Sequence, residues 1–175
     1  MKLLFRQKFF SWFDSYNIYD EAGNIFFRVE GKLSWGHLFY IYDQNNVHIA
    51  TLKEQIFRFL PHFIMLENNT EVGEIVKELS WFKPRFSLNC SDWEVTGDIW
   101  QWDYSIINSN NQVVAYISKQ LFNLTDTYVL DIKNSKDALR ALMIVLAIDA
   151  IKCNQAKAAN LGFNCKHYHQ IVLLG

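Results

Sequence analysis

The chain has 175 residues, 50% of them hydrophobic and 16% aromatic, with a formal net charge of −1. That length fits one domain with a sizeable core, and the balanced charge argues against a nucleic-acid surface. Three cysteines, Cys90, Cys153 and Cys165, show no disulfide-framework spacing, so reduced thiols and a cytoplasmic location are expected. The charge is spread unevenly. Residues 61–130 carry four Lys or Arg against nine Asp or Glu, and residues 131–175 carry six against three. This is a mild polarity, not a basic patch.

At the N-terminus, Arg6 and Lys8 interrupt the apolar stretch that a signal peptide would need. Lys2 stands where myristoylation requires glycine. From Lys2 to Ile132 the pattern is strand, turn, strand. Aromatic and β-branched residues dominate the strands, and Asn, Asp and Gly mark the turns. Strands are expected near 2–9, 14–20, 25–31, 36–42, 47–55, 62–67, 71–79, 85–89, 92–98, 102–107, 113–120 and 126–132. Turns stand out at 21–24, 43–46, 68–69 and 108–111. Pro61 and Pro84 both fall between strands, where a missing N–H is harmless. Twelve short strands on hairpin connections predict an antiparallel barrel. An internal repeat is also visible. Val29-Glu30-Gly31-Lys32 resembles Val95-Thr96-Gly97-Asp98, and the 50–57 segment resembles 115–122.

The stretch from Ala138 to Ile151 is apolar apart from Arg140 and Asp149. A surface helix carries one apolar stripe; this one is apolar all round and must be surrounded. Asn134 and Ser135 are good caps, and Asp137 suits the first turn. The uncharged run from Ala141 to Ile148 is eight residues, against about 20 for a membrane span, so the chain is not expected to be transmembrane. The predicted architecture is therefore mainly β: a roughly twelve-stranded antiparallel barrel around a central hydrophobic C-terminal helix. After Ile151 the character changes. Lys152 to Asn160 has the composition to extend the helix, and 163–175 read as a tail ending in Ile171-Val172-Leu173-Leu174. The expected division is a barrel with its helix over 1–152 and a C-terminal extension over 153–175.

Several segments taken together resemble a known family. They are Gln7-Lys8-Phe9-Phe10-Ser11-Trp12, Val29-Glu30-Gly31, Glu71-Val72-Gly73-Glu74-Ile75-Val76-Lys77, Phe82-Lys83-Pro84, Asp92-Trp93-Glu94-Val95 and the helix from Ala141 to Ala150. In this order they resemble the LURP-one-related (YxjI-like) family of the tubby C-terminal-like superfamily. The resemblance covers about residues 1–152 and implies a twelve-stranded barrel with a central helix. Tubby-like relatives bind phosphoinositide head groups, and phospholipid scramblases share the fold more distantly. None of the tubby lipid-binding residues can be placed on this chain, and fold alone does not imply function.

Three constellations carry the chemistry that the residues suggest. Lys77, Lys83 and Arg85, with Trp81 and Phe82 among them, combine cations with aromatics, as a phospholipid head group and its interface require. Arg6, Lys8, Phe9, Phe10, Trp12 and Phe13 form a second basic-aromatic stretch whose alternation fits a half-buried strand. Cys165, His167 and His169 form the metal-like cluster. Zinc takes such ligands, but a structural site needs four, and only a folded-back tail would let Cys153 serve as the fourth. His37, His48 and His62 stand on separate strands, and no nucleophile elbow, phosphate loop or zincin motif occurs. Asp98 and Asp103 read as turn residues. The expected function is a non-enzymatic binding or regulatory module without a cofactor, recognising phospholipid or another anionic ligand as a peripheral protein at a membrane surface. The alternatives are a protein-interaction domain using the C-terminal tail, or an enzyme with a site at the barrel rim.

Overall fold

Alternation of apolar and polar side chains builds the wall of the molecule. In the computed structural model, residues 1–6, 15–32, 34–80, 84–122 and 125–158 are described. Twelve strands run along them. The first six are β1 (Lys2–Arg6), β2 (Ser15–Tyr19), β3 (Ile25–Gly31), β4 (Leu38–Tyr42), β5 (His48–Glu54) and β6 (His62–Glu67). The next six are β7 (Thr70–Glu78), β8 (Arg85–Leu88), β9 (Glu94–Asp98), β10 (Asp103–Ile107), β11 (Val113–Phe122) and β12 (Thr125–Ile132). Each overlaps one of the twelve strands expected from the sequence. On β3, Phe27 and Val29 are buried; on β4, Phe39 and Ile41; on β5, Ala50 and Leu52; on β10, Tyr104 and Ile106. This period of two is what puts one face of a sheet inside.

The strands form one antiparallel sheet in the order β8-β7-β6-β5-β4-β3-β2-β1-β12-β11-β10-β9. The N-terminal strand closes the chain's two ends together: β1 pairs with β12 from Lys2 opposite Asp131 to Arg6 opposite Thr127. The sheet curls into a nearly closed barrel whose seam lies between β8 and β9. Both edges are short, and β9 carries Glu94 and Asp98 on exposed positions. Short charged edges resist pairing with another chain.

The helix α1 (Ala138–Ala158) fills the interior. Asn134 starts it through a 3₁₀ turn at Ser135–Asp137, its side-chain oxygen accepting the Lys136 N–H at 3.2 Å. Every residue from Ala141 to Ile151 is buried. The two charges that break the apolar run sit near the ends of that buried length. Arg140 donates from Nε to Glu67 Oε1 at 2.8 Å, where the helix enters. Asp149 lies near the far end. No described helix is long and apolar enough to cross a membrane.

Alternation also sorts the loops. In an antiparallel sheet of this order, every connection from an odd strand to the next even strand lies at the same end. The opposite rim carries the Asn-rich turns. There, Asp20, Asp43 and Asn108 each accept backbone N–H bonds from residues further along their own turns, and Gly23, Asn46 and Asn111 take positive φ. A type I turn followed by a left-handed residue with an adjacent bulge is a common way to close such hairpins. Bulges follow at Ile18/Tyr19, Ile41/Tyr42 and Ile106/Ile107.

Val145 is 0% exposed at the middle of α1, and a buried unpaired carboxylate costs several kcal/mol or more. Val145→Asp is expected to abolish soluble folded protein, read by yield and thermal unfolding. A transition at the wild-type temperature would contradict this packing.

Candidate functional site at the odd-to-even rim

Because α1 fills the barrel, surface chemistry must lie on the rims or outside. The odd-to-even rim is the irregular one. Its β3–β4 and β5–β6 connections converge. The Glu54 N–H donates to the His37 carbonyl at 2.8 Å, and Gln55 N–H donates to the His62 carbonyl at 2.8 Å. The Glu54 carboxylate turns back to accept the His37 N–H at 3.0 Å. Gly36 lets the two loops touch: a Cβ there would lie 2.6 Å from Ile56 Cγ2. Between the loops lies an open cleft of about 410 Å³, bordered by Trp35, Glu54, Arg58, Phe59 and Pro61. Arg58 is held by its own loop, with Nε donating to Gln55 Oε1 at 2.9 Å. Burial pushes the Glu54 carboxyl up, partly offset by the hydrogen bond from the His37 amide.

The apolar tips of this platform face water. Trp35 is 89% exposed, Phe57 94% and Phe59 92%. Leu79, just after β7, is 77% exposed. The β5–β6 loop is tied to β7, because the Lys77 N–H donates to the Pro61 carbonyl at 3.0 Å. Lys77 therefore belongs to the same rim. Its alternation with Ile75 turns its side chain to the inner face at the barrel mouth, opposite Phe86. Partial burial lowers its pKa. Arg85 stands on the outer face of β8, exposed, opposite Glu78. The two expected ligand-binding cations thus stand on adjacent rungs at the end of the β7–β8 pair and on opposite faces, because successive positions along a strand point opposite ways. Lys77, Arg85 and Arg58 have no carboxylate within ion-pair distance among the described residues, unlike Lys32, which pairs with Glu30 at 2.5 Å, and Arg140. Trp81 and Lys83 lie outside the described residues.

The other constellations stand as follows. Of the second basic-aromatic stretch, Arg6 ends β1, and Lys8, Phe9, Phe10, Trp12 and Phe13 lie outside the described residues. Cys165, His167 and His169 also lie outside them. Cys90 is buried and free, as expected. Cys153 is instead disulfide-bonded, so it is not a reduced thiol and its sulfur is not the thiolate that zinc requires. Among the described residues no three His, Cys, Asp or Glu side chains converge on a metal-sized site. The histidines are separate: His37 Nε2 is 3.8 Å from Glu54, His48 Nε2 is 3.0 Å from Thr51 Oγ1, and His62 Nε2 is 3.1 Å from Glu74. Asp98 caps its turn by accepting the Gln101 N–H, and Asp103 accepts from the Tyr116 hydroxyl at 2.5 Å.

An ionisable group also lies deep inside, on the helix. Asp149 on α1 is buried, and burial raises its pKa to about 7 despite the charge of Lys152 one turn on. Tyr16 and Tyr104 are close enough for its charge to raise their pKa values further, beyond what burial does. Lys152 is lowered to about 8 by burial, with Asp149 pulling the other way. Its Nζ donates to the Ile99 carbonyl at 2.8 Å and lies 3.8 Å from the Trp102 ring centroid. This bond places the exit of α1 under the β9–β10 connection, on the odd-to-even rim.

The residues of the β5–β6 platform were missed by sequence reasoning. The signal was present: Ile56-Phe57-Arg58-Phe59-Leu60-Pro61 is an apolar run that ends a strand and meets a proline. Such a run reads as core until the fold leaves it outside.

Residues 1–149 match the LURP-one-related family. The chain belongs to that family. It is 27% identical over 155 residues to the uncharacterized protein YxjI of Bacillus subtilis (strain 168), covering 88% of this chain and 95% of the relative. An X-ray structure of a protein from Arabidopsis thaliana superposes with a TM-score of 0.58 at 16% identity, covering 86% of this chain and 90% of that one. At that identity the likeness concerns the fold, a tubby-like barrel.

The buried acid predicts a pH dependence. Asp149 titrates near 3.8 when unfolded and near 7 when folded, so its contribution to stability is full below 3.8 and is lost as pH rises towards 7. Lys152 acts above about pH 8 and leaves that window to Asp149. The melting temperature is expected to fall by several degrees from about pH 5 to about pH 7.5, and Asp149→Asn is expected to flatten that fall. Parallel pH profiles for both proteins would contradict the assignment.

Proposed function

We propose that this family member is a non-enzymatic binding module that docks its odd-to-even rim on an anionic membrane surface as a peripheral protein. The observation that carries the reading is the placement of Lys77, Arg85 and Arg58. All three are at one end of the barrel, and none has a carboxylate partner among the described residues. Cations outside an ion pair keep more of their attraction for an external anion than Lys32 or Arg140 does. Lys77 and Arg85 lie on opposite faces of the wall, so they do not converge on one small head group. They fit an extended plane of negative charge, to which each cation contributes about 1 kcal/mol near the surface. Exposed aromatic side chains beside them suit the interfacial layer, where amphipathic rings and cations partition together. The filled interior supports the same reading, since it leaves no room for a ligand within the barrel.

Flotation with phosphatidylcholine vesicles, with and without phosphatidylglycerol, tests it across a salt series. Binding is expected to the anionic vesicles and to weaken with salt. Lys77→Glu combined with Arg85→Glu is expected to reduce partitioning by about tenfold or more at low salt. Absence of binding to anionic vesicles at low salt would refute the proposal.

A further inference from the structure

We infer that the β5–β6 loop and the β3–β4 loop form an insertion tip, with Trp35, Phe57 and Phe59 entering the bilayer interface. The inference rests on the membrane-surface reading and adds to it a depth and an orientation. Three large aromatic side chains, each about nine-tenths exposed, stand on two adjacent loops. In water this is unfavourable, since apolar area exposed without a partner forfeits its transfer free energy. The loops that hold them are not loose. Backbone bonds from Glu54 to His37, from Gln55 to His62 and from Lys77 to Pro61 fix the platform, and the close approach at Gly36 locks one loop on the other.

The choice of a bilayer over a protein partner comes from shape and charge. Trp35 and Phe59 border an open cleft, and each of the three rings is about nine-tenths exposed, so each stands in solvent rather than packed on its neighbours. A deformable solvent accepts separate protruding rings, whereas a protein interface needs packed complementarity. Arg58 sits between Phe57 and Phe59 in the chain, without a carboxylate partner among the described residues. A cation at that position faces the phosphate layer when its two neighbours are inserted. The same geometry directs the odd-to-even rim, and the C-terminal end of α1 with it, at the membrane. The turns of the opposite rim, built by Asp20, Asp43 and Asn108, then face away.

Quenching by phosphatidylglycerol vesicles brominated in the acyl chains tests the insertion. Trp35→Phe supplies the difference that isolates Trp35 from the five other tryptophans. The Trp35 component is expected to be quenched by brominated vesicles and not by unbrominated ones. Trp35→Ala/Phe57→Ala/Phe59→Ala, made at exposed positions and checked by its melting temperature, is expected to lose at least about tenfold in partitioning at high salt, where the cation contribution is screened. If wild-type protein floats with anionic vesicles but Trp35 is not quenched and the triple variant floats equally well, insertion is refuted and surface docking stands. If wild-type protein does not float at all, both readings fall.

Discussion

Burial of one all-round apolar helix is the constraint on which this structure depends. An exposed helix with the composition of Ala141–Ile151 would leave Leu, Ile, Met and Val side chains in water, each at about 1.5–3 kcal/mol. Against a net stability of about 5–15 kcal/mol, such exposure is not tolerable. A single sheet face covers only one side of a helix. Covering every side requires a wall that curls back on itself. The twelve strands supply that wall, and the pairing of β1 with β12 brings the beginning of the chain beside the strand that leads into the helix. The barrel and its contents therefore stabilise each other, and neither half has an apolar surface satisfied without the other.

This constraint also decides where chemistry can occur. A filled barrel has no lumen to offer, so the two rims divide the work. One rim is closed by short turns in which Asp or Asn side chains cap backbone N–H groups and a left-handed residue completes the reversal. Such turns are economical and leave little for a ligand to hold. The other rim carries the longer connections, the cleft beside Glu54 and Arg58, and the exposed rings of Trp35, Phe57 and Phe59. The asymmetry follows from topology, because the odd-to-even connections all fall at one end.

Asp149 and Lys152 bring ionisable charge to a largely apolar interior. Burial opposes the charge on both, in opposite directions along the pH scale. Lys152 escapes towards the rim and spends its protons on the Ile99 and Trp100 carbonyls. Asp149 remains inside, near Tyr16 and Tyr104. The result is an interior whose most strained ionisable group lies at the end of the helix nearest the rim that we assign to docking.

The sequence by itself determined the element types and their number. Alternation at Phe27 and Val29 or at Tyr104 and Ile106 reports a half-buried strand, the runs at Asp43–Asn46 and Asn108–Asn111 report turns, and the stretch from Ala138 to Ile151 reports a buried helix. These signals are local, because side-chain period and backbone preference act over a few residues. The candidate site was only partly legible. Lys77 and Arg85 were recognised as cations near aromatics, but the pleat placed them on opposite faces, which a list of neighbours along the chain does not reveal. The apolar run from Ile56 to Pro61 and the lone Trp35 carry no local signal that they stand outside. Only the tertiary structure decided that Trp35, Phe57 and Phe59 stand on one platform in water. That outcome depends on which loops share a rim, and the rim is set by the pairing of strands far apart in sequence.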